Sequence, residues 1–289
     1  MPADSQKEAQ MFVIQRSLLE KILLDDIPFS DPTTESLGIS GVPGRIECYP
    51  KADGAVSGIA LAAEVFRIAG AKVLFEAKDG LPRKARERVL IAEGPAEAIH
   101  ASYKTAQNLM EYASGIANRV RAMLEPARAV NPAVQVSITR KHFPGGKMLS
   151  LYAAQSAGAI VHRAGLSESI LIFDQHRVFC EDFIAQLKAL KVREPEKKVA
   201  VEVDTVEEGL EYVKAGADII QLERFAPEAV REFSDKAKAI NPALIVNVAG
   251  GVNAANAAEY AKAGADVLVT SWVYFGKPFD IKMAISKKD

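Results

Sequence analysis

A chain of 289 residues, 49% hydrophobic and 25% charged, has ordinary globular composition and length for about two domains, which allows a sizeable core and argues against disorder as the default. Lys+Arg 36 against Asp+Glu 37 leaves a net charge of −1, which argues against bulk attraction to nucleic acid or an anionic membrane, so any anion site must be local. The two cysteines, Cys48 and Cys180, lie far apart with no CxxC or Cys/His spacing, which suits a reducing compartment and gives neither structural zinc nor a disulfide framework.

The opening, MPADSQKEAQMFVIQRSLLEK, has no basic segment leading into an apolar one, and no apolar run approaches the ~20 residues that span a bilayer. The expectation is a cytoplasmic protein. Phe12 to Leu24 reads as an amphipathic helix, followed by the Pro- and Asp-rich turn DDIPFSDPTT. The strand-like stretches GRIECYP, AKVLFEAKDG and RVLIAEG then surround a helix, GIALAAEVFRIAG. A long helix is predicted from Ala96 to Leu124, because Ile99, Ala106, Leu109, Ala113, Ile116, Val120 and Met123 recur on one helical face. A second stripe, Lys104, Asn108, Glu111, Gly115 and Asn118, is polar or small and reads as a solvated face.

After Pro132 short β-rich runs alternate with helices: VQVSI, AIV, ILIF, VAVEV, DIIQL, LIVNV and DVLVT. Near-continuous apolar runs of this kind mark parallel strands covered on both faces, and their alternation with helices predicts a (β/α) barrel in preference to a doubly wound sheet. An internal repeat supports the barrel. GLEYVKAGADII (209–220) recurs as AAEYAKAGADVL (257–268), each a helix ending at Gly and running into a strand.

The polar residues of this half sit at or just past the strand ends. Thr139, Arg140 and Lys141 follow VQVSI, His162 and Arg163 follow AIV, and Asp174, Gln175 and His176 follow ILIF. Glu202 lies within VAVEV, Glu223 follows DIIQL, Gly250 and Gly251 follow LIVNV, and Thr270 and Ser271 close DVLVT. The carboxyl ends of barrel strands form one rim, where such enzymes build their sites. Singly, each has a plainer reading: a solvated basic turn for Arg140-Lys141, a mere turn for the Pro-Gly-Gly at 144–146, a core histidine for His162, a Lys partner for Glu202. Together they supply cations, two carboxylates and a Gly-rich turn with hydroxyls. That set suits a phosphorylated or doubly anionic substrate, with carboxylates left for hydroxyls or Mg²⁺. His-x-x-x-His and Gly-x-Ser-x-Gly patterns are absent, against a hydrolytic metal centre or a Ser-His-Asp hydrolase.

SGIAN (114–118), TRKHFPGGK (139–147), HRAGL (162–166), ILIFDQH (170–176), VEV (201–203), GADIIQLE (216–223) and AGG (249–251) occur in order. This ordered set resembles quinolinate phosphoribosyltransferase, also called carboxylating nicotinate-nucleotide pyrophosphorylase, and DDIPFSDPTT resembles that family's acidic Thr-Thr stretch. The resemblance implies an N-terminal α/β sandwich over 1–115, with 276–289 packing back on it, and an open TIM-like (β/α) barrel over 116–275. It implies a homodimer, or an oligomer of dimers, whose sandwich domain completes the neighbour's site, with small-molecule substrates, no nucleic acid and no membrane. The implied reaction joins a pyridine nitrogen to C1 of 5-phosphoribosyl 1-pyrophosphate (PRPP) and releases pyrophosphate, with Mg²⁺ as cofactor. By position, catalysis falls to Lys141, Glu202 and Glu223, with Glu202 and Glu223 also addressing ribose hydroxyls and Mg²⁺. Substrate binding falls to Lys104, Thr139, Arg140, His162, Arg163, Phe173, Ala249, Gly250, Gly251, Thr270 and Ser271, the 249–251 and 270–272 turns taking the 5-phosphate.

The departures from the family lie on the acceptor side. Its Glu-Arg becomes Tyr103-Lys104, and its Lys-Asp-Asn-His becomes Phe173-Asp174-Gln175-His176. Its Leu-Asp-Asn ends here in Glu223-Arg224, and its Glu-x-Ser-Gly-Gly reads Asn247-Val248-Ala249-Gly250-Gly251. A lysine cannot reproduce an arginine's bidentate fork, and the acceptor side exchanges a cation for an aromatic ring. The combination resembles the ModD branch, pyrophosphorylases associated with molybdate transport, which implies a link to molybdenum use. The expectation is a phosphoribosyltransferase with a non-quinolinate heteroaromatic acceptor. Authentic quinolinate chemistry yielding nicotinate mononucleotide and a non-catalytic ligand-binding relative stay open beside it.

Overall fold

The structure, a computed structural model, describes residues 13–288, which divide into two compact units. The first comprises residues 13–118, 143–158 and 274–288. Its antiparallel sheet runs in the order Ile281–Lys287, Pro43–Pro50, Leu90–Pro95, Lys72–Glu76. Along Pro43–Pro50 every second side chain is buried, as on a strand with one face to a core. Ile46 and Cys48 stand opposite Ala92 and Leu90, and this face packs with Leu19 and Leu23 of helix Arg16–Asp26 and with Ile59 and Phe66 of helix Ile59–Ile68. The first helix starts later than its sequence pattern suggests, and Phe12 lies outside the described residues. DDIPFSDPTT is not turn throughout. Asp31 accepts from Thr33 N at 2.9 Å and Thr34 N at 3.3 Å and starts the short helix Pro32–Ser36.

The long helix runs over Ala96–Val130, past the expected end at Leu124 and through Pro126. An interior proline costs roughly 3 kcal/mol, but Met123, Leu124 and Ala127 are all buried and the packed face continues across it. The helix ends before Pro132, where the residue ahead of a proline disfavours helical backbone. Its polar stripe is not simply a solvated face. Asn118 accepts from Ala55 N at 2.9 Å and donates to Ala55 O at 2.8 Å, and Glu111 accepts from Ile281 N at 3.0 Å.

A domain boundary at 115/116 assigns residues 143–158 to the barrel, but they cluster with the first unit, and the division falls between Asn118 and Arg119. The reason is a buried polar junction. Asp79 accepts from Ile59 N at 2.7 Å and Ala60 N at 3.2 Å, capping the helix that follows Gly58, and from Tyr152 Oη at 2.7 Å on helix Lys147–Ser156. The Ser57 and Ser156 hydroxyls meet at 2.8 Å. Gly80 (φ +75) passes so close that a Cβ there would fall 1.8 Å from the Ser156 carbonyl oxygen. Burial pushes the Asp79 carboxyl up, against the three hydrogen bonds that favour its charge.

The second unit comprises residues 119–142 and 159–273 and holds a seven-stranded parallel sheet. Along the chain its strands are Gln135–Ile138, Ile160–Val161, Ile170–Ile172, Val199–Val203, Ile219–Glu223, Ile245–Ala249 and Val267–Thr270. Consecutive strands pair, and the seventh closes on the first, but the second and third do not pair. The barrel is therefore open on that side. Helices Phe183–Arg193, Val206–Lys214, Pro227–Ile240 and Ala257–Lys262 lie between the later strands. The internal repeat explains how two of these strands begin. Val206–Lys214 ends at Gly216 (φ +102) and Ala257–Lys262 at Gly264 (φ +97), the left-handed conformation of a helix stop. The aspartate two residues on then clamps a neighbouring strand. Asp218 accepts from Val199 N at 2.7 Å and Lys191 Nζ at 2.5 Å, and Asp266 from Val246 N at 2.8 Å and Lys238 Nζ at 2.9 Å.

Replacing Asp79 tests the junction that recruits residues 143–158. Asp79→Ala leaves two backbone N–H groups and the Tyr152 hydroxyl without their acceptor, at about 2–4 kcal/mol for unsatisfied buried donors. Urea unfolding should show that loss, with Asp79→Asn losing less because its amide oxygen still accepts. A change under about 1 kcal/mol for Asp79→Ala would mean that the junction is not what fixes this segment.

Candidate active site

A cavity of about 630 Å³ lies at the carboxyl ends of the second unit's strands. From the first strand come Thr139, Arg140 and Lys141; Thr139 N donates to Thr270 O at 3.1 Å, and its Oγ1 accepts from Lys141 N at 3.2 Å. The second strand supplies His162 and Arg163. Burial, and then the adjacent Arg163 charge, push His162 down to about 4, so its imidazole is neutral near pH 7. Arg163 is itself buried, and its guanidinium lies 5.2 Å from the centre of the Phe173 ring, within cation–π range.

Phe173 extends the third strand and stacks at 5.8 Å on His176, whose Nδ1 accepts from Phe173 N at 3.0 Å. The fourth and fifth strands bring Glu202, Gln221 and Glu223 into the lining. Gln221 stands opposite Glu202 in the parallel register and donates from Nε2 to Glu202 Oε2 at 2.6 Å. Burial pushes the Glu202 carboxyl up, Glu223 and Asp204 add to this, and Lys141 opposes it. Arg177 braces this end of the barrel, donating to the Glu202 carbonyl at 3.2 Å and pairing with Glu208 at 2.7 Å and with Asp174.

The sixth strand runs into Gly250 and Gly251, both at positive φ, +82 and +84. A Cβ on Gly250 would fall 2.8 Å from Glu223 Oε1 and 2.5 Å from Arg224 Cγ, so only glycine fits. Asn253 and Asn256 hold the turn by donating to the Gly251 carbonyl at 2.9 and 3.2 Å. Thr270 is buried; its hydroxyl donates to Val252 O at 2.7 Å and accepts from Trp272 N at 3.0 Å.

Of the rim and substrate-side residues singled out from the sequence, Lys104, Asp174 and His176 do not line this cavity; the others do, Ala249 and Ser271 included. Lys104 is exposed on the first unit's helix, where its Nζ donates to Gln107 at 2.8 Å. The buried hydroxyl of Thr270 fastens the loop around Val252 rather than standing free. Sequence reasoning passed over Gln221 and Asn253, which also line the cavity, as do Gln175 and Trp272. Gln221 did leave a signal: in DIIQLE it is a polar residue inside an apolar strand, two positions from Glu223 and so on the same face.

The low His162 value gives a pH test of the cavity. An unfolded imidazole takes up its proton near pH 6.5, whereas the folded one waits until about 4. Stability from this group is therefore complete above pH 6.5 and is lost as pH falls toward 4. Linkage gives about 2 kcal/mol lost between pH 7 and pH 5. His162→Gln should flatten the decline in unfolding free energy over that range by about this amount. Parallel slopes for the two proteins would show that His162 titrates normally.

The comparisons with known proteins agree with this geometry. The family model described as the quinolinate phosphoribosyl transferase N-terminal domain matches residues 31–114, and the corresponding C-terminal domain matches residues 116–284. The ModD protein of Rhodobacter capsulatus, provisionally named a pyrophosphorylase, is 40% identical over 88% of this chain and 98% of its own. A protein of Methanocaldococcus jannaschii, provisionally named a carboxylating nicotinate-nucleotide pyrophosphorylase, is 33% identical over 87% of this chain and 89% of its own. The crystal structure of nicotinate-nucleotide pyrophosphorylase from Ehrlichia chaffeensis superposes with a TM-score of 0.86 at 23% identity, covering 96% of this chain and 100% of that one. With both family domains matched in order and the strand-end residues gathered on one cavity, the chain belongs to the quinolinate phosphoribosyl transferase family, a family of pentosyltransferase enzymes.

Proposed function

We propose that this chain joins PRPP to a heteroaromatic nitrogen acceptor other than quinolinate, with release of pyrophosphate. One observation carries the reading. The cavity brings together three cations, two carboxylates and a Gly-Gly turn, while the acceptor-side positions hold an exposed Lys104 and the Phe173 ring. Arg140, Lys141 and Arg163 would hold the pyrophosphate of PRPP, and the N–H groups at 249–251 and 270–272 its 5-phosphate, as anions are held at glycine-rich barrel ends. Glu202 would receive the ribose hydroxyls, steadied by Gln221 and Arg177.

Glu202 and Glu223 suit Mg²⁺ as a pair. The Glu223 charge pushes Glu202 up, a repulsion that a cation relieves. Among the described residues there is no cluster of three or more His, Cys, Asp or Glu able to hold a metal. Mg²⁺ is commonly held by one or two carboxylates plus substrate phosphates, so it would arrive with PRPP and neutralise the departing pyrophosphate.

The chain's own part is alignment and electrostatics. The acceptor nitrogen forms its bond to C1 as the C1–O bond to pyrophosphate breaks. Charge builds on the leaving oxygens, where Arg140 and Lys141 would meet it. No side-chain nucleophile is required. Lys104 would reach an acceptor from a partner subunit, in a homodimer or an oligomer of dimers. The link to molybdenum use rests on the resemblance to the ModD branch alone, and molybdate belongs in the same binding assay.

PRPP with Mg²⁺ should raise the melting temperature, since a ligand that binds only the folded state stabilises it; no shift at millimolar PRPP would sink the phosphoribosyl reading. Quinolinate should be a poor acceptor. A buried carboxylate that loses its charged partner costs on the order of 3–5 kcal/mol, roughly 10²–10³-fold or more in kcat/KM. Lys104→Arg combined with Phe173→Lys should raise quinolinate turnover more than either change alone. Turnover by the unmodified protein near 10⁴ M⁻¹s⁻¹ or above, roughly the low end for competent enzymes, would return it to quinolinate chemistry.

A further inference from the structure

Arg86 and Arg224 are the two described non-glycine residues with positive φ. Arg224 (φ +58) directly follows Glu223, which lines the cavity at the carboxyl end of the fifth strand. Its N–H donates to the Ala249 carbonyl at 2.8 Å, which pins it across the end of the sixth strand beside the Gly250-Gly251 turn. Left-handed backbone is uncommon outside glycine and asparagine, and strain of this kind collects at functional sites. Glycine would adopt it freely. What an arginine adds is its guanidinium.

The chain makes little use of that group. Arg224 is 82% exposed, with its Nε 3.5 Å from a Glu223 carboxylate oxygen. Its outer nitrogens have no hydrogen-bond partner among the described residues. Its stem runs along the glycine turn, since a Cβ on Gly250 would fall 2.5 Å from Arg224 Cγ.

The charge at this end of the cavity indicates what the guanidinium meets. The lining cations Arg140, Lys141 and Arg163 follow the first two strands. Among the described residues, the lining from the last three strands holds no cation and one carboxylate, Glu223. A phosphate held by backbone N–H groups at 249–251 would lie beside that carboxylate with no lining cation to offset it. Arg224 stands against both Glu223 and Gly250.

Resting on the phosphoribosyl reading above, we infer that Arg224 is a further substrate-binding residue, whose guanidinium closes over the glycine turn and takes the 5-phosphate of PRPP. Its planar fork matches two phosphate oxygens, and its charge shields that phosphate from Glu223. The 5-phosphate then meets the N–H groups of the turn and a full positive charge together.

The test separates the two ends of PRPP. Binding of PRPP and of pyrophosphate, each with Mg²⁺, is measured by calorimetry on the whole protein and on its Arg224→Gly and Arg224→Lys variants. Arg224→Gly should melt no lower than the unmodified protein, because glycine takes this backbone without strain. It should nevertheless lose about tenfold in affinity for PRPP, the scale of one charge-assisted hydrogen bond. Its affinity for pyrophosphate should change by less than about twofold, since an exposed, screened charge acts weakly beyond its own contacts. Arg224→Lys keeps the charge without the fork and should fall between. Unchanged PRPP affinity in Arg224→Gly overturns the inference. So does an equal loss for both ligands, or a melting temperature that falls in both variants. A loss matched by a shift in the Mg²⁺ requirement also overturns it, by showing that Arg224 acts through Glu223. If PRPP binds the unmodified protein under any of these outcomes, the failure is confined to Arg224; if it does not bind, the phosphoribosyl reading and this inference fall together.

Discussion

Parallel strands buried on both faces leave ionised side chains few places to go. Along Val199–Val203, Ile219–Glu223 and Ile245–Ala249 nearly every residue is buried or half-buried, and a charge placed mid-strand would have to be paired or neutralised. Polar groups therefore collect at the strand ends, and the two ends have different work. At the amino ends Asp218 and Asp266 are consumed by backbone N–H groups and by Lys191 and Lys238. At the carboxyl ends Arg140, Lys141, Arg163, Glu202 and Glu223 face a shared cavity. The GAD repeat that signals the barrel in the sequence is thus a device of the structural end and takes no part in the site.

The site's electrostatics follow from the same burial. His162 is held neutral, and the Glu202 carboxyl is pushed up while Lys141 and the Gln221 amide pull it down. The Gly250-Gly251 turn can lie close to Glu223 only because Gly250 carries no side chain. Polar groups in such a pocket respond strongly to what enters, since the low local dielectric amplifies both a good partner and a missing one.

Much of this was legible beforehand, for reasons that can be named. Buried parallel strands announce themselves as apolar runs, and the polar and glycine residues at their ends, such as Thr139, Arg140, Glu223 and Gly250, could be placed on one rim by position. The helix end at Leu124 was misjudged because local propensity at Pro126 is overridden by the buried residues on both sides of it. That residues 143–158 cluster with the first unit was not legible, because the bonds that recruit them, Tyr152 to Asp79 and Ser156 to Ser57, join positions far apart in sequence. Gln221 was visible as a residue but not as a site. Its meaning comes from a cross-strand neighbour, Glu202, and no local pattern supplies the register.

The missing pairing between the second and third barrel strands has a consequence for colloidal behaviour. It leaves two strand edges whose backbone groups are templates for pairing with another chain. Those strands, Ile160–Val161 and Ile170–Ile172, are only 2 and 3 residues long, too short to offer a stable ladder to an intruder. The outer strands of the antiparallel sheet are longer and are guarded differently: Lys72–Glu76 has a break in register between Val73 and Phe75, and Ile281–Lys287 carries Lys282 and Lys287. Brevity, irregularity and charge each make an open edge a poor seed for aggregation, so a barrel left open on one side can stay dispersed at high concentration.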